Sequence, residues 1–443
     1  MTTAAEGAEL TRTGPGTPMG ELMRLYWMPA LKSSELERDG PPVRFMLLGE
    51  KLIAFRDSAG KVGVMDHRCP HRGASLFLGR NEEGGIRCLY HGWKFDTSGQ
   101  CIDMPSVPVD KDFKHKVCAK AYQAIERAGL VWVYMGSREA PTLPAFQILD
   151  APDEEINVGM IQRDCNYLQA IEGEIDTAHF GYLHGGHADV SRLDESEPFY
   201  FTVTNRAPEF HVTDAPWGTQ YAGYRSAGPG RIYWRYSNFL FPFWTQAPNG
   251  EFDSHAHARG WVPIDDHHCM YVFIWWKRAK AAMSLPQPAY TDGTPIGGTG
   301  RANRLLPNTT DWMGRWRMVE NEANDWGMDR QAQRTNQIYS GIDGIHLQDQ
   351  AITESMGPIV DHTFEHLGPS DQMITRTRRR LLRASRALRE AGTLPPGVED
   401  GGVYHGARSG YFVSDDQSAW QEVYKHRLDD ALHPAQALPR AAE

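Results

Sequence analysis

The chain has 443 residues, 41% of them hydrophobic, and a formal net charge of -10 at pH 7. That length allows two or three domains, and the negative charge without a basic stripe argues against nucleic acid as a partner. No apolar run reaches the roughly 18 residues that a membrane span needs, and no signal-peptide pattern is visible. We therefore expect no membrane contact and a cytoplasmic location.

Three segments are predicted in chain order. Residues 1–40 are predicted to form an N-terminal helical segment. From 41 to 145, short β-type runs such as KLIAFRD alternate with turn residues, which predicts a small all-β domain. A proline-rich stretch at 141–146 is typical of a linker. Residues 146–443 mix β-type runs with helical spacing and predict a larger domain, so the fold class is α+β.

Two cysteine–histidine pairs, Cys69-Pro-His71 and Cys88-Leu-Tyr-His91, lie where strands of the all-β domain give way to loops. Their four side chains can therefore meet at one tip of that domain. Two thiolates on one iron and two imidazoles on the other form a Rieske [2Fe-2S] cluster. Such a cluster is less negative than an all-cysteine one, so its reduction potential is higher and it accepts electrons readily.

A tetrahedral zinc ion is the alternative for the same four residues. Zinc sites usually pair two cysteines in one loop and two histidines in another, whereas each loop here supplies one of each. The spacing therefore favours the iron–sulfur cluster over zinc.

The larger domain contains β-type runs between residues 195 and 280, including FYFTVT at 199–204. Three of the arginines in or beside these runs are candidates to grip a carboxylate with two hydrogen bonds: Arg206, Arg225 and Arg235. Strand alternation does not decide which arginine faces the interior, because both faces of the run that carries Arg235 are mixed.

A second metal site is indicated at 166–184, a helical pattern that carries Asp176, His179 and His184. Asp176 and His179 are expected to share one helix face. Two imidazoles and one carboxylate form the facial triad of non-haem Fe(II) oxygenases, which leaves positions open for O2 and substrate. A cluster that delivers electrons needs an acceptor of this kind, and the third ligand need not be local in sequence.

Together, the two cysteine–histidine loops and the motif Asp176-x-x-His179-x4-His184 resemble the α-subunit of Rieske non-haem iron ring-hydroxylating oxygenases. The stretches 68–96 and 344–361 are most similar to the phthalate dioxygenase and phenoxybenzoate dioxygenase branch. This resemblance implies that the larger domain is a helix-grip (START-like) domain, in which a curved antiparallel sheet surrounds a long C-terminal helix.

The same resemblance implies roles for two carboxylates. Asp349 matches the family's third iron ligand on the C-terminal helix, while Asp343 and Asp361 are the competing candidates. Asp176 matches an aspartate that bridges an iron-ligand histidine to a Rieske histidine of a neighbouring subunit, a contact that orients both imidazoles. The active unit implied is a head-to-tail homotrimer, alone or stacked into a hexamer.

The activity implied is that of a terminal oxygenase, which uses O2 and electrons from a separate NADH-dependent flavin and [2Fe-2S] reductase to hydroxylate an aromatic, carboxylated substrate. Dihydroxylation and mono-oxygenation, including O-demethylation, use the same metals, so both stay open. No glycine-rich dinucleotide fingerprint is visible in this chain, so NADH is expected to bind the reductase. A Rieske electron carrier and a helix-grip binding protein are the non-enzyme alternatives; iron content separates them, at about three irons for an oxygenase, two for the carrier and none for the binder.

One further segment, TRTRRRLLRASRALREAG at 375–392, is predicted to be a basic amphipathic helix with seven arginines. A solvated or subunit-contacting helix is the simpler interpretation. Docking of an acidic reductase surface is the alternative.

Overall fold

The structure is a computed structural model that describes residues 2–195, 197, 200–253, 256–276, 287–300, 303–415 and 419–433. The helices are α1 (Ala4–Thr11), α2 (Pro18–Met23), α3 (Tyr167–Ile175), α4 (Tyr200–Thr204), α5 (Arg330–Arg334), α6 (Ile345–Ser355), α7 (Gln372–Ala391) and α8 (Trp420–Leu432). Among the described helices, none combines the length and apolarity that crossing a bilayer requires.

The strands of the first domain are β1 (Trp27–Lys32), β2 (Val43–Leu47), β3 (Glu50–Arg56), β4 (Val62–Asp66), β5 (Arg80–Glu82), β6 (Gly85–Arg87), β7 (Lys94–Phe95), β8 (Cys101–Asp103), β9 (Ala121–Arg127) and β10 (Leu130–Tyr134). They form a six-stranded antiparallel sheet in the order β1-β10-β9-β4-β3-β2 and a four-stranded sheet in the order β5-β6-β7-β8. The all-β prediction for this domain is confirmed.

The helical prediction for residues 1–40 is wrong in part, because β1 pairs antiparallel with β10 in the first sheet. Five of its six residues are buried, so WMPALK shows no alternation of apolar and polar residues that would reveal a strand. The helices in this segment are α1 and α2, and both pack against α7 of the second domain. The N-terminal segment therefore contacts both domains.

The strands of the second domain are β11 (Ile156–Arg163), β12 (Glu209–Ala215), β13 (Gly218–Ser226), β14 (Ile232–Leu240), β15 (Trp244–Gln246), β16 (His257–Pro263), β17 (Cys269–Trp276) and β18 (Gly410–Ser414). The sheet order is β11-β17-β16-β15-β14-β13-β12, with β18 beside β14. Helix α3 packs against β14, β15 and β16, and α7 packs against β12 and β13. The prediction of an antiparallel sheet around helices is confirmed.

The predicted strand FYFTVT is wrong, since residues 200–204 form α4; Phe199 lies outside the described residues. Phe201, Thr202 and Val203 are all buried, and the Phe201 ring stacks on Tyr233 with 4.9 Å between centroids. A short apolar run of this kind is compatible with either a buried helix or a strand, and periodicity alone does not separate them.

The helix that carries Asp349 also differs from the expectation. Asp349 lies on α6, which has 11 residues, whereas the long C-terminal helix is α7 with 20 residues. Helix α6 ends where Gly357 adopts a left-handed φ of 89° and a proline follows, both of which stop a helix.

Helix α7 is the predicted basic amphipathic helix, but its arginines are mostly used inside the chain. Arg378, with a side chain only 3% exposed, donates to both oxygens of Glu172 at 2.6 Å and to both oxygens of Glu365. Arg386 pairs with Glu9 of α1 at 3.2 Å. By contrast, the side chain of Arg383 is 74% exposed. The helix is therefore largely an internal scaffold and not a free basic surface.

Replacing Arg378 by Met should destabilise the protein by about 3 to 5 kcal/mol, because Glu172 would keep its buried charge without a partner. The exposed Arg383→Ala on the same helix is the control and should change stability by less than about 0.5 kcal/mol. Denaturant unfolding followed by tryptophan fluorescence measures both. Equal stability of the two variants would contradict the structural role of this ion-pair network.

Candidate active site

The two cysteine–histidine loops of the first domain share one backbone geometry. The N–H groups of Cys69 and Cys88 each donate over 2.8 Å to the carbonyl five residues further on, and the N–H groups of Gly73 and Gly92 donate back to those cysteine carbonyls. Both glycines are left-handed, with φ of 76° and 75°, a conformation that glycine adopts without steric cost. Each loop therefore folds tightly around its own cysteine.

Folding brings these side chains together in like pairs. The His71 and His91 rings lie 4.4 Å apart between centroids, while Cys69 and Cys88 are 2% and 3% exposed. Burial and, to a smaller extent, the neighbouring Cys88 raise the pKa of Cys69 to about 12. A bound metal would therefore be needed to hold both sulfurs as thiolates. Paired thiols and paired imidazoles fit a cluster whose two irons have different ligands.

Three side chains from two separate elements converge in the second domain. Their donor atoms are His179 Nε2, His184 Nε2 and Asp349 Oδ1, and the three pairwise distances are 3.2, 3.5 and 3.1 Å. Ligands at right angles on a metal at ~2.1 Å would lie ~3.0 Å apart. The observed distances are slightly longer than this, so the three donors are close enough to bind one metal ion from one side and would leave its other positions free for other ligands.

The backbone near these histidines differs from the predicted continuous helix. Helix α3 ends before Asp176, whose backbone is extended, and Phe180–His184 form a wide π-helical turn. Asp176 and His179 therefore do not share a face of one helix; Asp176 Oδ2 lies 3.4 Å from His179 Nδ1 across the break. The wide turn brings two imidazoles five residues apart to one point, because π-type bonding connects residues i and i+5.

Gln348 orients His184, and sequence reasoning missed it. The Gln348 amide nitrogen donates to the carbonyls of Gly298 and Ile342 at 2.9 and 2.7 Å, so its oxygen faces His184 Nδ1 at 2.6 Å. The Nδ1–H of His184 therefore donates to this oxygen, and Nε2 keeps its lone pair for a metal. Only its position next to Asp349 in sequence could have drawn attention to Gln348.

Electrostatics at the three donors favour positive charge. Burial alone would lower the pKa of His179, but Asp176 and Asp349 raise it to about 9. A divalent cation would supply the positive charge that this buried site favours.

The carboxylates that competed with Asp349 in the sequence lie elsewhere. Asp343 accepts from the Gly300 N–H at 3.1 Å, and the exposed Asp361 accepts from the Thr363 N–H in its own loop.

A cavity of about 140 Å³ lies against the three donors. An engineered apolar cavity of similar size, about 150 Å³, holds one benzene molecule. Aromatic side chains form part of the wall, including Phe180, Tyr221 and Tyr271. The cavity therefore has room for a ligand with one aromatic ring next to the metal position.

Of the three arginines proposed from sequence, the structure brings Arg235 to this cavity. Arg235 is 2% exposed, its Nε donates to Thr177 Oγ1 at 2.8 Å, and its Nη1 donates to Tyr233 Oη at 3.1 Å. Within the described part of the chain, no carboxylate lies at ion-pair distance from it. It lies directly opposite Gly223 in the β13–β14 pairing, which places it on the sheet face toward α3.

The other two arginines do not line the cavity, so the structure does not bring them to this site. Arg206 lies over the ring of Tyr182 and donates to a backbone carbonyl at 3.0 Å. Arg225 is buried and donates to the Asn205 carbonyl at 2.7 Å. Two further arginines of the wall were not proposed from sequence: Arg163 on β11, and Arg259 on β16, which pairs with Glu174.

Comparison with known proteins agrees with this architecture. Residues 26–116 match the Rieske [2Fe-2S] domain family, and residues 133–405 match the family described as LigXa C-terminal domain like. The chain is 48% identical to the 3-chlorobenzoate-3,4-dioxygenase oxygenase subunit of Comamonas testosteroni, over 97% of this chain and 99% of that protein. It is 34% identical to the phthalate 4,5-dioxygenase oxygenase subunit of Pseudomonas putida, over 97% of both chains.

Among solved structures, NdmA of Pseudomonas putida CBB5 superposes with a TM-score of 0.55 at 19% identity, covering 90% of this chain and 99% of that one. The two-domain fold, the like-paired cysteines and histidines and the converging triad define a Rieske non-haem iron oxygenase. The chain belongs to the oxygenase subunits of this family and is an oxidoreductase with a [2Fe-2S] cluster and a mononuclear iron site.

Gln348→Leu should weaken iron binding at the mononuclear site by about 10- to 100-fold, because His184 would lose the acceptor that fixes its ring. Gln350→Leu is the matched control, since Gln350 is equally buried on α6 but does not contact His184. Chelator competition measures the iron affinity, and the visible absorbance of the cluster serves as an internal reference. Unchanged iron affinity in Gln348→Leu would contradict this orienting role.

Proposed function

We propose that this chain is the terminal oxygenase of a system that hydroxylates a single-ring aromatic carboxylate. In this proposal Cys69, His71, Cys88 and His91 hold the [2Fe-2S] cluster, and His179, His184 and Asp349 hold the catalytic Fe(II). The observation that carries the proposal is the juxtaposition of three converging metal donors, a ring-sized cavity and the buried Arg235, which has no anionic partner in the described chain.

When bound, the iron supplies O2 activation with electrons delivered through the cluster, and the protein supplies binding and orientation. Arg235 would hold the substrate carboxylate with charge-assisted hydrogen bonds, which are strong in a buried site. Phe180 lies under the Arg235 guanidinium at 4.7 Å and helps to fix it in place. The apolar wall would exclude water and present the ring to the metal position.

The relatives support an aromatic acid as the substrate class. Two of them are named for 3-chlorobenzoate and phthalate, both benzene carboxylates. These names also favour dihydroxylation as the reaction. An O-demethylase subunit from Sphingobium that is 31% identical to this chain makes mono-oxygenation the second candidate. Product analysis with 3-chlorobenzoate and a matched reductase decides between a dihydrodiol or catechol and a singly hydroxylated product.

We further propose a head-to-tail homotrimer, alone or stacked, in which the cluster of one subunit meets the iron site of the next. At the cluster tip, Leu89 and Tyr90 are 60% and 55% exposed. On the elements that carry the iron donors, Tyr182, Ile352 and Met356 are 52%, 44% and 48% exposed. Two different apolar patches on one chain suit a heterologous contact that closes into a ring.

Asp176 would connect the two metal centres across that contact. Its carboxylate is 23% exposed and lies 3.4 Å from His179 Nδ1, so one side faces the iron ligand and the other can reach a neighbouring subunit. A bridging carboxylate shortens the path from cluster to iron and fixes the imidazole tautomers at both ends.

Electrons would come from NADH through a separate flavin and [2Fe-2S] reductase.

Replacing each of the two carboxylates near His179 should impair the enzyme in a different way. Asp349→Ala should lose mononuclear iron but keep the cluster, because the triad loses its anionic ligand. Asp176→Asn should keep both metals yet lose turnover by at least about tenfold, because the path between subunits is interrupted. Iron analysis combined with single-turnover cluster oxidation measures both. Full iron in Asp349→Ala or normal turnover in Asp176→Asn would refute the respective role.

Arg235→Gln should weaken benzoate binding by about 2 to 3 kcal/mol, the value of a lost charge-assisted contact. Arg225→Gln is the control, because this buried arginine of the same sheet lies outside the cavity. Calorimetric titration of the anaerobic holoenzyme with benzoate and with methyl benzoate gives the affinities. Equal affinity for acid and ester, or an equal loss in both variants, would remove Arg235 as the carboxylate anchor.

A further inference from the structure

Arg163, the last residue of β11, is a second arginine in the cavity wall for which the described residues provide no ion-pair partner. It is 1% exposed, and its Nε and Nη1 atoms make no hydrogen bond. Within the ranges that the structure describes, no carboxylate lies at ion-pair distance from it. Its guanidinium group lies 5.6 Å from the centroid of the Trp261 ring.

Two carboxylates in this region of the structure already have other partners. Glu354 Oε1 accepts from the Asp164 N–H at 3.0 Å, and Glu354 Oε2 accepts from Trp326 Nε1 at 2.7 Å. Glu174 pairs with Arg259. Neither carboxylate forms an ion pair with Arg163, and a buried charge without a close partner is unfavourable. An anionic ligand in the cavity would complete this site.

His346 provides a second unsatisfied polar group in the same wall. Its Nε2 is buried without a hydrogen-bond partner, and its ring stacks on Tyr271 at 5.0 Å between centroids. Burial and the neighbouring Arg163 hold the pKa of His346 well below its usual range, so the imidazole is neutral. A neutral imidazole can donate one hydrogen bond from Nε2 to an oxygen acceptor.

Arg163 and Arg235 approach the cavity from different strands. Arg163 lies on β11, the first strand in the sheet order, and Arg235 lies on β14, the fifth. At about 4.8 Å between neighbouring strands, the two backbones are separated by up to ~19 Å. The Arg163 guanidinium lies beside the Trp261 ring, whereas the Arg235 guanidinium lies over the Phe180 ring, so the two arginines belong to different parts of the cavity wall.

We infer that Arg163 and His346 form a second anion-recognition site, which binds a second carboxylate on the far side of the substrate ring from the group held by Arg235. This inference rests on the proposed function, because it assigns the second substituent of the same substrate. The preferred ligands are benzene-1,3- or 1,4-dicarboxylates, since neighbouring 1,2-carboxylates point to the same end of the cavity. Arg163 is then a specificity-determining residue.

The test is calorimetric titration of the anaerobic holoenzyme with benzoate and with the three benzene dicarboxylates. The 1,3- or the 1,4-isomer should bind the wild-type protein about 10- to 100-fold more tightly than benzoate, the value of one added charge-assisted contact. In the Arg163→Met variant, that isomer should bind only as tightly as benzoate does. The affinity for benzoate itself should change by less than about twofold. Arg235→Gln should instead weaken benzoate and both isomers together.

Thermal unfolding without ligand separates recognition from a structural role. Arg163→Met should unfold at the same temperature as the wild-type protein or higher, because an unpaired buried charge is removed. A lower unfolding temperature, or equal loss of benzoate and dicarboxylate binding in Arg163→Met, would overturn the inference. Equal binding of benzoate and all dicarboxylates to the wild-type protein would overturn it while leaving the proposed function intact. Binding of no aromatic acid at all would overturn both.

Discussion

The structure depends most on the convergence of two short elements that are far apart in sequence. The π-helical turn that ends at His184 and helix α6 meet so that an imidazole nitrogen and a carboxylate oxygen lie 3.1 Å apart. The Gln348 amide connects them, since it contacts His184 and is itself held by two backbone carbonyls. A regular helix from Asn166 to His184 would not bring both histidines to this point. The break after α3 is therefore a requirement of the site.

The distribution of buried charge follows from the same site. Far from the cavity, Arg378 is matched by Glu172 and Glu365, whereas the equally buried Arg225 donates to a backbone carbonyl and has two nitrogens without a hydrogen-bond partner. In the cavity wall, Arg259 is matched by Glu174, but Arg163 and Arg235 have no anionic partner among the described residues. Unlike Arg378 and Arg225, the two unmatched guanidinium groups of the wall border the cavity, where a ligand can reach them.

Local motifs were the part of this protein that the sequence could predict. Each cysteine–histidine loop is specified within a few residues, because a tight turn, a glycine and two ligands occur together. The pair His179 and His184 is local too, whereas Asp349 came from family resemblance, since no spacing links it to them. Long-range contacts were not predictable: Gln348 acts through a tertiary contact, and β1 is buried on both faces and lacks the alternation that marks a strand. The domain boundary near residue 145 stays a prediction.

The central claim is that one chain carries both a two-iron cluster and a separate catalytic iron. Mössbauer spectroscopy of the ⁵⁷Fe-enriched, as-isolated protein tests it most directly, because the two kinds of iron give different spectra. We expect two inequivalent cluster irons and one high-spin ferrous iron, in an area ratio of about 2:1. Cluster absorption alone, or mononuclear iron without a cluster, would contradict the claim.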